Sequence, residues 1–177
     1  MKRTRRMTMV ILVVCVLMVA GSLACRANAK SPELQAMAET LNVYCFSLAN
    51  IYLDMREIYL DCAEGNVPKS DIDLRKAEID SKRNVLKKLS DDIITRWPTV
   101  MPGERLAWRC AYNCTQQMSS ACFSLIGAAL KIEAMGTGMR FSEGWMRQYE
   151  VASVNLDLAS VRLDMANLMW DLLMAQP

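Results

Sequence analysis

Apolar residues recur along this chain at intervals of three and four, and the recurrence holds over very long stretches. Leu34, Ala38, Leu41, Cys45, Leu48, Tyr52, Met55, Tyr59 and Cys62 form one unbroken series. Trp145, Tyr149, Ala152, Leu156, Ala159, Leu163, Ala166, Trp170 and Leu173 form another. Such steps keep one face of a 3.6-residue helix apolar, whereas a half-buried strand would alternate every second residue. Pro and Gly are confined to a few places. Gly65-Asn66-Val67-Pro68, the stretch from Trp97-Pro98 to Pro102-Gly103, and Gly136-Thr137-Gly138 divide the pattern into four segments.

The caps agree with that division. Ser31-Pro32-Glu33 places a side-chain acceptor before a proline at the first helical position, Ser70-Asp71-Ile72-Asp73 resembles a capping box, and Ser142-Glu143 opens the last segment. The expected helices cover about residues 32–64, 71–97, 103–135 and 142–175. Short turns send neighbouring helices back alongside one another. The expected fold is therefore all-α, an up-down-up-down bundle of four long antiparallel helices in one domain, residues 30–177.

The second helix is amphipathic in the ordinary way, with Ile72, Ile79, Leu86, Leu89, Ile93 and Trp97 on one stripe and charge elsewhere. Its Lys82-Arg83 and Lys87-Lys88 are balanced by Asp71, Asp73, Glu78, Asp80, Asp91 and Asp92, which reads as a solvated face. The fourth helix is different. Beside its first series it carries a second, Val151, Val154, Leu158, Val161, Met165, Leu168 and Leu172, on nearly the opposite side. Glu150, Asp157, Asp164 and Asp171 run along one flank at every seventh residue, with Asn155 and Arg162 on the other. One wide stripe suffices in a bundle of four. Either this helix is central and covered on both sides by its own chain, or the second series is an interface for another copy or another protein.

The first thirty residues obey another rule. MKRTRR precedes an unbroken apolar run from Met9 to Cys25, and Ala27-Asn28-Ala29 supplies the small-x-small pattern of signal peptidase. The reading is a secretory signal over residues 1–29, with Lys30 at the new N-terminus. Its rival is an uncleaved membrane anchor. Lipid attachment at Cys25 fits poorly, because Ser22 stands where a lipobox has Leu. Twin-arginine export fits poorly too, because Thr8 stands where that signal has a hydrophobe. The segment holds five of the 21 basic residues and none of the 19 acidic ones, so the remainder carries 16 against 19, a net charge of −3. That balance gives no electrostatic case for nucleic acid. Contact with membrane is expected only through the N-terminal segment if it is uncleaved.

Within the third helix no charge occurs from Cys110 to Leu130, and Cys110, Cys114, Met118 and Cys122 follow at intervals of four. Three accounts fit. Buried cysteine is a small hydrophobe, so the row is core packing. An exported chain enters an oxidising compartment, so a bridge is a second account. There Cys45 stands 13 residues into its helix and Cys114 stands 11 into its own, which makes Cys45, Cys114 and Cys110 the disulfide candidates and leaves Cys62 far from Cys122. Thiolates and a thioether in a line also suit Cu(I), with Cys110, Cys114, Met118 and Cys122 as ligands. Zinc fits less well, for there is no histidine and no paired C-x2-C.

The lack of histidine also removes Cys–His and Ser–His–Asp nucleophile systems, and there is no G-x-S-x-G, phosphate-cradling glycine loop or H-E-x-x-H. The expected protein is an exported, non-catalytic bundle in the periplasm or cell envelope. It would act as an interaction or assembly subunit and self-associate through helix 4, with another protein or a second copy as partner. The alternative is a periplasmic bundle handling copper or thiol redox chemistry.

Overall fold

The computed structural model describes residues 30–66 and 68–176, so the expected signal sequence lies outside the described residues. The fold is all-α. Four helices, α1 (Pro32–Glu64), α2 (Lys69–Arg96), α3 (Arg105–Met135) and α4 (Glu143–Ala175), account for nearly all of it, with two 3-10 turns between α2 and α3, and no strand occurs among the described residues.

Two of the three expected caps are present. Ser31 accepts from the Leu34 N–H at 3.4 Å with Pro32 at the first position, and Ser142 accepts from the Trp145 N–H at 3.2 Å. Each satisfies one N–H that has no partner inside its helix. The Ser70 box is not formed. α2 starts two residues earlier than expected, with Pro68 at the N-cap and no side-chain cap, and Ser70 turns to Asp71 instead. Proline tolerates that place because its missing N–H would have been unpaired in any case. At the other end, Pro98 interrupts the ladder and Trp97–Thr99 tightens into a 3-10 turn, which leaves Trp97 exposed instead of completing the α2 stripe. A second such turn, Pro102–Glu104, delays the start of α3 to Arg105, and from it Glu104 reaches back to the Ser31 backbone N–H at 2.6 Å.

The corner between α1 and α4 depends on a glycine. Gly65 ends α1 with φ 98°, a left-handed conformation that costs glycine little, and its N–H closes on the last carbonyls of the helix. A Cβ there would also lie 3.0 Å from Arg140, whose guanidinium donates to the Ala63 carbonyl. Phe141 follows at φ 61°, an unusual place for a bulky residue, and it packs edge-on against Trp145.

α1 and α3 each touch all the other helices, and the contact between α3 and α4 is the most extensive among the described residues. The side chains explain this. On α3, Ala107, Cys114, Ala121 and Ala128 recur every seventh residue; on α4, Ala152, Ala159 and Ala166 do the same, and all are buried. Small side chains let two backbones approach closely. The Cys114 thiol reaches the backbone carbonyl of Ala166 at 3.3 Å, and a Cβ on Gly127 would meet Asn155 at 3.1 Å. Large residues fill the remaining volume, with Leu34, Leu41, Leu48, Met55, Ile72, Ile79, Leu86, Met118, Leu125 and Ile132 fully buried.

Contacts distant in sequence follow a regular order. Between α1 and α4, Ala38 meets Trp170, Cys45 meets Asn167 and Tyr59 stacks on Tyr149. Between α3 and α4, Cys114 meets Ala166, Gln117 meets Arg162 and Gly127 meets Asn155. α2 is fastened by charge. Arg75 pairs with Asp54 of α1 at 3.1 Å, Lys76 pairs with Glu133 of α3 at 2.8 Å, and Lys82 and Arg83 lie over the rings of Tyr44 and Phe123. Part of the α2 charge therefore joins helices instead of facing water alone.

Ala159 is fully buried, midway between Ala152 and Ala166 in the row of small residues on α4, so a larger side chain there must push the helices apart. Ala159→Leu is expected to destabilise the protein by about 1–3 kcal/mol in urea unfolding, with unchanged helical circular dichroism before the transition.

Candidate functional site

Two arrangements carry possible function: the outer face of α4 and the group of buried thiols. Along α4, the first apolar series points into the core, with Ala152, Leu156, Ala159, Leu163, Ala166 and Leu173 buried and Tyr149 and Trp170 packed against them. All seven members of the second series are open to solvent. Val151, Val154, Leu158, Val161, Met165, Leu168 and Leu172 are between 37% and 56% exposed. α4 lies on α3 and α1, and both neighbours are used up by the inner face. The described helices therefore do not cover this series.

The flanks of the outer face differ in charge. Glu150, Asp157, Asp164 and Asp171 line the side nearer α1, and none of them is in an ion pair among the described residues. The side nearer α3 carries Asn155, whose amide donates to the Val151 carbonyl, and Arg162, whose guanidinium donates to Gln117 Oε1 at 3.0 Å. The result is an apolar strip about three heptads long with an acidic rail on one side.

A second apolar strip was not anticipated from the sequence. Val43, Phe46, Leu53 and Leu60 of α1 are all more than half exposed. Phe46, Leu53 and Leu60 recur every seventh residue, which is a legible signal, but Asn50 and Glu57 interrupt the steps between them. An apolar groove of about 440 Å³ also opens beside the α2–α3 turn, lined by Ile93, Ile94, Trp97, Pro98, Arg109 and Tyr112.

The thiol row on α3 divides in two. Cys110, Cys114, Met118 and Cys122 are all buried, but they do not share one centre. Cys114 lies against Ala166, and Cys45 of α1 donates to Asn167 Oδ1, the next residue on α4, at 2.9 Å. Cys122 instead lies on the α2 side, near Asp80 and Arg83, and Cys62 sits in the last turn of α1 beside Asp61. No bond joins any two of the five described cysteines, so the disulfide candidates Cys45, Cys110 and Cys114 are free thiols in the structure. Among the described residues, no group of three or more His, Cys, Asp or Glu is arranged to hold a metal ion.

Burial governs these thiols electrostatically, because the apolar interior disfavours a thiolate. It pushes Cys122 up to about 12 and Cys62 up to about 11. Cys114 also rises to about 12, mainly through burial and further because Cys45 and Cys110 stand close by. Cys45 and Cys110 are raised as well, by burial first. At neutral pH all five are protonated and poor nucleophiles.

α3 with its preceding turn, Pro102–Met135, is long and apolar enough to cross a membrane by length and composition, and 44% of its most apolar window is buried among the other helices. No protein-family model, no curated protein and no solved structure matches this chain.

The raised thiol values fix a sign. An unfolded thiol loses its proton near pH 8.5, whereas Cys114 and Cys122 keep theirs until about 12. Their contribution is complete below pH 8.5 and is lost as pH rises through that window, since the unfolded state then binds fewer protons. In reduced protein, urea unfolding between pH 8 and 10.5 should show stability falling less steeply for Cys114→Ala/Cys122→Ala than for the unaltered chain. Equal slopes would show that these thiols do not set the alkaline response.

Proposed function

We propose that this chain is a non-catalytic helical subunit that is exported and works through the outer face of α4, with a second copy of itself as the partner. The observation that carries the reading is the exposure of all seven members of the second α4 series. Isolated apolar residues on a surface need no explanation, but seven in heptad register along one helix form a contiguous strip. Covering them would stabilise a complex by roughly 1 kcal/mol per side chain, before the cost of association. A two-fold pairing of α4 with α4 covers both copies at once.

The same proposal includes the finer architecture. Where α1 meets α4, and where α3 meets α4, residue numbers climb along one helix as they descend along the other, which supports an up-down-up-down bundle. Export rests on residues 1–29 alone: the basic start, the apolar run and Ala27-Asn28-Ala29. An exported chain of this kind would serve in the periplasm or cell envelope as an assembly component.

A second reading, thiol redox or Cu(I) handling, is favoured by one observation: Cys45 and Cys114 contact consecutive residues of α4, with Cys110 one turn away on α3. In an oxidising compartment these two thiols are the pair placed to join α1 to α3. Oxidation would leave three titratable thiols in unfolded, unreduced protein instead of five.

The two readings separate in the purified protein. A dimer free of copper supports the interface reading, and a copper-loaded monomer supports the thiol reading. Light scattering should report a dimer, and Leu158→Asp/Met165→Asp should yield a monomer with nearly full helical circular dichroism, because the inner face of α4 is untouched. Loss of helix in that variant would place the second series in the monomer's core and remove the support for an interface. Mass spectrometry should find Lys30 at the N-terminus of the exported form.

A further inference from the structure

We infer that two copies of this chain pair α4 to α4 in parallel, with Asp157 of each copy against Arg162 of the other. The inference rests on the reading above, that the outer face of α4 is a self-interface, and adds the orientation. The seven exposed residues step by three and four without a break, so they occupy the alternating seam positions of three heptads. Val151, Leu158, Met165 and Leu172 form one set, and Val154, Val161 and Leu168 form the other. Gly144 and Arg147 end the seam at its start, since the next heptad places no large apolar residue at either position.

The flanking rails decide the direction. In a parallel pair, each residue of the rail preceding the seam meets the residue five positions later in the partner. Glu150 then meets Asn155, Asp157 meets Arg162 and Asp164 meets Met169, so one acid faces one base from each copy and no like charges face each other. In an antiparallel pair, each rail meets the same rail of the other copy. Centred on the strip, that sets Glu150 against Asp171 and Asp157 against Asp164, in each case twice, which is acid on acid along the whole length. Like charges facing each other across a helix pair are destabilising, and here they recur at every heptad.

The structure supplies the receptive groups. Glu150, Asp157, Asp164 and Asp171 have no ion-pair partner among the described residues, so a second copy would not have to displace one. Arg162 is held at one nitrogen by Gln117 at 3.0 Å, which fixes the guanidinium on the α3 side of the strip. Side-chain ordering there is already partly complete before association.

Charge exchange at these two positions tests the orientation by sedimentation equilibrium at low salt. Asp157→Arg alone, and Arg162→Asp alone, should each weaken the dimer by roughly tenfold, because either change breaks both symmetry-related ion pairs. The double variant Asp157→Arg/Arg162→Asp should regain most of the affinity, because the pair is restored with its signs reversed. A tighter dimer for Asp157→Arg, with no rescue in the double variant, would overturn the parallel arrangement while leaving the α4 interface standing, since relief of the Asp157–Asp164 repulsion is the antiparallel signature. An unaltered protein that stays monomeric at high concentration would overturn both the orientation and the interface. Circular dichroism of each variant should remain that of the unaltered chain, as all the substituted side chains lie outside the core.

Discussion

The close approach of α3 and α4 is the constraint from which the remaining architecture follows. Alanines and Cys114, recurring every seventh residue on the facing sides, let the two backbones come near enough for the Cys114 thiol to bond the Ala166 carbonyl. A contact that tight fixes the rotation of α4 about its own axis. With Ala152, Ala159 and Ala166 turned toward α3, and Trp170 and Tyr149 turned toward α1, the residues on the opposite side have no remaining neighbour among the described residues. The apolar strip from Val151 to Leu172 is exposed because of how the small residues pack, not because the bundle lacks volume to hide it.

The same contact gives the cysteines their chemistry. Cys114 is a seam residue first, buried by the approach of α4, and burial raises its pKa to about 12. Cys45 arrives at the same level from α1 and bonds Asn167. A thiol held in this way is a packing group at neutral pH, and its electrostatic effect appears only in alkali, where the unfolded chain ionises before the folded one. The separation of Cys122 toward α2 follows from helix geometry. Steps of four drift around a 3.6-residue helix by about 40° each, so a row of three such steps cannot stay in one plane.

Charge plays different parts on different helices. On α2 it fastens: Arg75 and Lys76 tie the helix to Asp54 and Glu133, and Lys82 and Arg83 cover Tyr44 and Phe123. On α4 the acidic residues are left without partners within the chain's described residues. An unpaired acidic rail beside an apolar strip disfavours pairing with the same rail and favours a positive group, so under the proposed self-association these acids would bear on the direction of pairing.

Much of this was legible in the sequence. The four helices, the inner series of α1 and α4, the caps at Ser31 and Ser142 and the doubled face of α4 all follow from intervals of three and four and from local capping chemistry, which depend on near neighbours alone. What the sequence left open were questions of who lies against whom. Ser70 fits a capping box locally, yet α2 begins at Lys69; Trp97 fits the α2 stripe, yet Pro98 turns it outward. The α3 row reads as one line of soft ligands, but Cys114 faces α4 while Cys122 faces α2. The second series of α4 could belong to the core or to the surface, and periodicity reads the same in both cases. Only the placement of α3 and α1 on the inner side of α4 decided it, because exposure depends on which helices are near, and no pattern within one helix contains that information.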